Sequence, residues 1–330
     1  FNDTATTEIY TFPYTTLFRS TSPVTGGAGF DGVFFIIDLL LPYQLNMWQA
    51  DTMLPMVRRP LICLLSIMLW SMLCVSSAHS WGFQGHQITG LIAESLLTDT
   101  AKRQVEQLLG KESLAAATTY MDKQRSALSK RWHLSSHWHY DNQALCQFQP
   151  YCLDGHCATY QIERLTAVLA DRKASTADRA LALRLLIHML GDIHQPLHTS
   201  DNNDRGGNSI KVRLYTGKRQ YSLHEVMDTV LIKQLIGSQR LDTYAKQLKT
   251  TYQPQFSRWQ AGSPKEWATQ SHFLATQQVY RQLPEFTCGI APKTTLTLSE
   301  SYVYSAKTYL PEQIAKAGVR MAYILNSTLK

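Results

Sequence analysis

The run His188-Met-Leu-Gly-Asp192-Ile-His194-Gln-Pro196-Leu-His198 puts three imidazoles and a carboxylate into eleven residues of a pattern that is otherwise apolar and helical. Its apolar positions are Leu183, Leu185, Leu186, Ile187, Met189 and Leu190. Polar groups of this kind are costly to bury unless something neutralises them, and a metal ion does so directly. His188 and Asp192 are four apart, so on a helix they stack on one face and can grip one cation. The same His-x-x-x-Asp spacing returns at His224-Glu-Val-Met-Asp228, where another amphipathic stretch begins. Two copies of one chelating geometry in one chain point to metal binding rather than coincidence.

The first eighty residues read differently from the rest. Met56-Val-Arg58-Arg59-Pro60 is a basic start, Leu61 to Val75 an apolar core, and Ala78-His79-Ser80 a small-x-small cleavage pattern. Together these predict a signal peptide over 56–80 and a mature N-terminus at Trp81. The apolar core is too short to read as a membrane span. Residues 1–55 carry no domain pattern, and Tyr10 to Ser20 reads as translated adapter sequence. The expectation for 1–55 is a gene-model artefact or a non-functional extension, leaving 81–330 as one domain with a proper core.

With the three Arg and five acidic residues of 1–80 set aside, 29 basic and 20 acidic residues remain, a net charge of +9. A basic exported protein suits polyanionic partners such as nucleic acid or anionic lipid. Of six Cys, Cys63 and Cys74 fall in the leader, leaving Cys146, Cys152, Cys157 and Cys288. An even number in an exported chain predicts two disulfides, and spacing leaves all three connectivities open. Zinc ligation by thiolate is the competing reading, and no second Cys pair has finger spacing.

The periodicity predicts an all-α domain with a small β-hairpin. Helices are expected over 86–97, 100–109, 158–172, 175–193, 224–236, 264–282 and 301–326, with a hairpin over 208–223. Ser175 followed by Asp178 resembles a capping box, and Pro196 should stop the helix before it.

Other potential ligands stand in order along the chain: His86 in Trp81-Gly-x-x-Gly-His86, Asp122 in Thr119-Tyr-Met-Asp122-Lys-Gln-Arg125, and His139 in Trp138-His139-Tyr140. The domain continues through 188–198, Asp204-Arg-Gly-Gly-Asn208 and Leu223-His-x-x-x-Asp228, and closes on Ala317-Gly318-x-Arg320-x-Ala322-x-x-Leu325-Asn326. In this order the motifs resemble the zinc-dependent single-strand nuclease family, the mung bean nuclease type with fungal and bacterial relatives. The resemblance covers essentially all of 81–330.

It implies a mainly helical fold shared with zinc phospholipase C and a cluster of three zinc ions. One ion is implied for Asp122, His139 and His188, and a second for the Trp81 terminal amine and carbonyl with His86. Asp192 is implied to bridge these two, and the third ion falls to His198, His224 and Asp228. The implied disulfides are Cys146–Cys288 and Cys152–Cys157. Arg125 is implied to neutralise phosphoryl oxygens beside Asp122, and Tyr140 to stack on a base. Asn142 stands near where some relatives carry a base-binding carboxylate, and Asn208 is a candidate phosphate contact. His194 lies on another face and is expected to hydrogen-bond locally.

The expected activity is hydrolysis of single-stranded DNA and RNA to 5′-nucleotides, with 3′-mononucleotides as further substrates. A zinc pair about 3.5–4 Å apart acidifies a shared water, which supplies the attacking hydroxide. The expected protein is secreted or periplasmic, monomeric and without stable membrane association. The alternatives are a zinc phospholipase C and a non-catalytic zinc-stabilised nucleic-acid binder. The short Trp81-to-His86 spacing and Asp228, where the phospholipase would present Glu, favour the nuclease.

Overall fold

The computed structural model describes residues 81–146 and 152–330, so the readings made of 1–55 and of the leader at 56–80 lie outside the described residues. The first helix, α1 (Phe83–Glu94), starts and ends three residues before the periodicity suggested. Its end is limited by Thr98, which caps α2 (Asp99–Leu109) by accepting from the Ala101 N–H. A cap residue of this kind is extended, so α1 must end before it.

Short helical turns follow, among them Tyr120–Lys123 and the 3-10 segment Ser135–His139. Next come α3 (Ala158–Ala170) and α4 (Thr176–Asp192), which pack along each other. Ser175 caps α4 through the Asp178 N–H. After Pro196 the chain enters strands β1 (Lys211–Leu214) and β2 (Gln220–Ser222), which pair antiparallel as the hairpin pattern implied.

Residues 223–236 form one helical stretch, α5, containing a π-turn at Val226–Val230. Then come α6 (Leu241–Tyr252), α7 (Pro264–Leu274) with a π-turn over Ala275–Tyr280, and β3 (Leu296–Leu298). The strand β3 pairs parallel with β1, so Val212 and Leu214 face Leu296 and Leu298 across the register. Three residues are too few to display a two-residue period, and the sequence reading missed this strand along with α6. The final helix, α8 (Glu300–Thr328), lies along α1.

The domain is mainly helical, as expected. One apolar cluster joins Trp81, α1, α5, the sheet, α6 and α8; a second joins α2, α3, α4 and Trp267. The α1–α8 contact is close enough that a Cβ added at Gly318 would stand 2.7 Å from Ile92 Cβ and 2.9 Å from the Thr89 carbonyl oxygen. Disulfides link Cys146 to Cys288 and Cys152 to Cys157, with Cα separations of 5.9 and 5.2 Å. The first fastens the segment before α8 beside the 200–208 loop. There Asn202 donates to the Thr287 carbonyl at 3.0 Å and accepts from the Gly289 N–H at 2.7 Å.

Gly318→Ala should lower stability by about 1–3 kcal/mol, because helix backbone and Ile92 must both move. The check is the denaturant midpoint against Gly217→Ala, where a new Cβ meets nothing within 4 Å.

Candidate metal centre

Eight His and Asp side chains arrive from six places in the chain. His86 comes from α1, Asp122 and His139 from the two short turns, and His188 and Asp192 from the last turns of α4. His198 follows from the 3-10 turn Pro196–His198, and His224 and Asp228 from the first turns of α5. Seven of the eight are 2 % exposed or less, and Asp122 is 9 % exposed. His188–Asp192 and His224–Asp228 each close as the four-residue spacing requires, at 3.2 and 3.0 Å.

Backbone carbonyls aim the rings. His188 Nδ1 meets the Thr118 carbonyl at 2.6 Å, His198 Nδ1 that of His139 at 3.0 Å, and His224 Nδ1 that of Gly206 at 2.7 Å. A ring that donates from Nδ1 turns a basic Nε2 toward the centre, the tautomer a cation needs. His86 slides against α4 at Gly191, where a Cβ would lie 2.8 Å from its Nδ1. The His86 and His188 rings then stack with centroids 4.1 Å apart.

Asp192 sits at the centre. Its Oδ2 is 3.0 Å from His139 Nδ1 and 3.2 Å from His188 Nε2, and its Oδ1 is 3.3 Å from His86 Nε2. Burial opposes its ionisation, but His188 and His198 outweigh that and hold the carboxyl well below the usual range. Burial also opposes a charged His188 ring, yet Asp192 and Asp122 raise it to about 9. Burial pushes His86 and His139 down instead. At the other end burial is again overcome, so that Asp228 is drawn down to about 2 by His224 and His198.

These donors fall into three groups whose ligand atoms lie within 4.8 Å of one another: His86, His188 and Asp192; Asp122, His139 and His188; His198, His224 and Asp228. The fit to metal shows in what the protein leaves unsatisfied. His86 Nε2 and Asp192 Oδ1, and likewise His224 Nε2 and Asp228 Oδ2, face each other at 3.3 and 3.0 Å without hydrogen-bond geometry, and His86 Nδ1 and His198 Nε2 are buried without a hydrogen-bond partner. Buried polar atoms are ordinarily paired, and imidazole and carboxylate oxygen are a donor set that zinc accepts.

The comparisons bear on the same residues. The S1/P1 nuclease family model matches 81–330, the segment that contains every group above. The chain belongs to the S1/P1 nuclease family. Endonuclease 2 of Arabidopsis thaliana is 29% identical over 293 residues, covering 80% of this chain and 96% of that protein. Endonuclease 1 of the same plant is 32% identical over 81% of this chain and 92% of that protein. Nuclease S1 of Aspergillus oryzae is 28% identical over 74% and 90%. This chain is therefore a hydrolase acting on nucleic acids, and the phospholipase and non-catalytic readings give way to a nuclease.

Around the donors, this nuclease places Tyr140 with its ring 4.9 Å from that of His198 and 6.2 Å from that of His224. Arg125 donates a hydrogen bond to the Tyr140 hydroxyl, whose pKa burial pushes up to about 12. Asn142 is exposed at a positive φ of 21°, just past His139. The Asn208 amide donates to the Arg205 carbonyl at 2.9 Å, a bond within its own turn. His194 behaves as expected: its Nδ1 meets the Leu190 carbonyl, and its Nε2 accepts from Arg320 at 3.0 Å. Trp81 is fully buried, with its indole N–H donated to the Gly191 carbonyl at 2.8 Å.

Sequence reasoning assigned no role to the groups that hold His224. Asp201 Oδ1 accepts from the Asp204 and Gly206 N–H groups at 3.0 and 3.2 Å. Asp204 Oδ1 accepts from the Gly207 N–H at 2.8 Å and the Tyr280 hydroxyl at 2.9 Å. Together they fix the Gly206 carbonyl that aims His224. Asp204 stood in a quoted motif, but Tyr280 is 76 residues away and gave no local signal. Tyr280→Phe should weaken cation retention by the His198–His224–Asp228 group about tenfold. Competition of the variant and the parent against a graded chelator measures this, with far-ultraviolet dichroism as the control for folding.

Proposed function

We propose that this nuclease is an exported trinuclear zinc phosphodiesterase that cuts single-stranded DNA and RNA to 5′-nucleotides and also removes 3′-phosphate from mononucleotides. The observation that carries the reading is the set of three buried donor groups built around Asp192, with unpaired nitrogens and oxygens in two of them. Asp122, His139 and His188 would hold one zinc, His86 with the freed Trp81 amine and carbonyl a second, and His198, His224 and Asp228 the third. Asp192, close to His86, His139 and His188 alike, would bridge the first two. Zinc held by these residues would supply Lewis acidity for hydrolysis of a phosphodiester.

The chain's own groups do the rest. Arg125 offers its guanidinium to the phosphoryl oxygens while its bond to Tyr140 fixes its direction. Tyr140, half-buried beside His198 and His224, presents its ring to a base, which stacking holds with little regard to sequence. Asn142, exposed two residues past Tyr140, would meet a base edge, and Asn208, at the end of the 204–208 turn, would turn its amide from the Arg205 carbonyl to a phosphate. Stacking of this kind needs an unpaired base, which favours the single strand. The two disulfides suit an oxidising compartment. No helix among the described residues is long and apolar enough to cross a membrane. Secreted or periplasmic monomer, with its leader at 56–80 removed, is the state we assign.

The test is made on protein processed in its host. Its N-terminal residue and zinc content are determined together, and the same sample is assayed on single- and double-stranded DNA. A Trp81 terminus, three zincs and chelator-sensitive cutting of the single strand are expected. An extended terminus with three zincs and full activity would refute the Trp81 ligand. Arg125→Ala should keep its zinc and lose about a hundredfold in kcat on single-stranded DNA. An unchanged kcat would remove Arg125 from the reaction.

A further inference from the structure

The outer face of the three-stranded sheet is basic. Between Asp204 and Glu225 stand five Lys and Arg and no Asp or Glu. In β1 the two-residue alternation buries Val212 and Leu214 in the core and leaves Lys211 and Arg213 exposed on the other face. Across the register Lys211 stands opposite Ser222, and Arg213 opposite Gln220 on β2 and Thr297 on β3. Opposite charge across the strands would stabilise such cations, and neither has it. Among the described residues the one ion pair of this stretch is Arg219 with Glu225, at 3.9 Å and with Arg219 75 % exposed. Cations often guard a sheet edge, but β1 is the central strand, so edge protection does not account for Lys211 and Arg213.

The basic face starts beside the metal centre. Ser222, opposite Lys211, comes two residues before His224, and β1 follows the turn whose Gly206 carbonyl aims that ring. Arg213 lies one pleat farther out, and Lys218 and Arg219 are exposed at the hairpin tip. The cations therefore follow the hairpin away from the His198–His224–Asp228 group. Unneutralised cations along a sheet match a ligand with repeating negative charge, the backbone of a polynucleotide. We propose that this face is a track for the phosphates of a single strand that extends beyond the nucleotides at the metal centre, with Lys211 and Arg213 as its main contacts. Such contacts go to phosphate and carry no base preference. The inference rests on the single-strand nuclease reading above.

The test uses mature zinc-loaded protein, a thymidylate twenty-mer and a thymidine dinucleotide. Lys211→Glu combined with Arg213→Glu should raise KM for the twenty-mer about tenfold, with kcat and the dinucleotide KM nearly unchanged. Binding of a phosphorothioate twenty-mer, read by fluorescence anisotropy, should lose about 1.4 from its logarithmic salt slope, the share of two phosphate contacts. The control makes the same charge change on α2, with Lys102→Glu and Arg103→Glu, both exposed and on a helix of the other apolar cluster. Melting temperature and zinc content establish that each variant is folded. An unchanged KM and salt slope, an equal shift in the α2 control, or an equal shift with the dinucleotide would each overturn the track. Loss of binding to phosphatidylglycerol vesicles with twenty-mer kinetics untouched would overturn it too, since the face would then serve a membrane. Failure of the unsubstituted protein to cut the twenty-mer would overturn the single-strand reading instead, and the anisotropy series would still decide the track.

Discussion

The Asp192 carboxylate, fully buried at the end of α4, faces three imidazoles from three other parts of the chain and a fourth from its own helix. A buried anion is destabilising unless charge or hydrogen bonds surround it. Here the surrounding groups are themselves basic rings with buried nitrogens. Neither party is satisfied by the other alone, since Asp192 Oδ1 and both nitrogens of His86 remain without hydrogen bonds. The helices that meet at this point are held by the apolar clusters on either side, and the cluster of donors is the polar seam between them. The energetic consequence is that folding assembles buried polar groups that could hold metal ions.

The seam is held rigid from behind. Carbonyls of Thr118, His139 and Gly206 receive Nδ1 of His188, His198 and His224, which fixes both tautomer and direction. The His139 carbonyl ends the 3-10 segment Ser135–His139, and the other two lie on turns that are fastened in their own way. Thr118 donates its hydroxyl to the His86 carbonyl at 2.9 Å, tying two donor segments together. The 201–207 loop is organised by Asp201, Asp204 and Tyr280, and bonded to the strand of chain fastened by Cys146–Cys288. Beyond α4, the His194–Arg320 bond links the donor-bearing run to α8, with Arg320 also donating to the Trp259 carbonyl. Ligand geometry in this nuclease thus depends on contacts made far from the cations it would hold.

What surrounds the donors decides what kind of phosphodiester can approach. Tyr140 lies over the His198–His224 side, braced by Arg125, while Phe83, Lys123 and Lys233 border the Asp228 side. The domain's net positive charge favours a polyanion at long range.

The sequence by itself determined the donor set and the helices that carry it. Local rules suffice there: a four-residue spacing places two side chains on one helix face, and capping residues such as Thr98 and Ser175 mark where helices begin. The hairpin at 211–222 was equally legible from its alternation. Only the tertiary structure decided which donors share a group, because His86, Asp122 and His139 lie far from α4 in sequence and meet it through packing. It alone showed His188 reaching two groups at once, Tyr280 holding His224 through Asp204, and β3 completing the sheet. It alone placed Phe83 beside Asp228. Those relations are long-range, and hydrophobic periodicity and motif spacing report only on neighbours along the chain, so no local signal could have carried them.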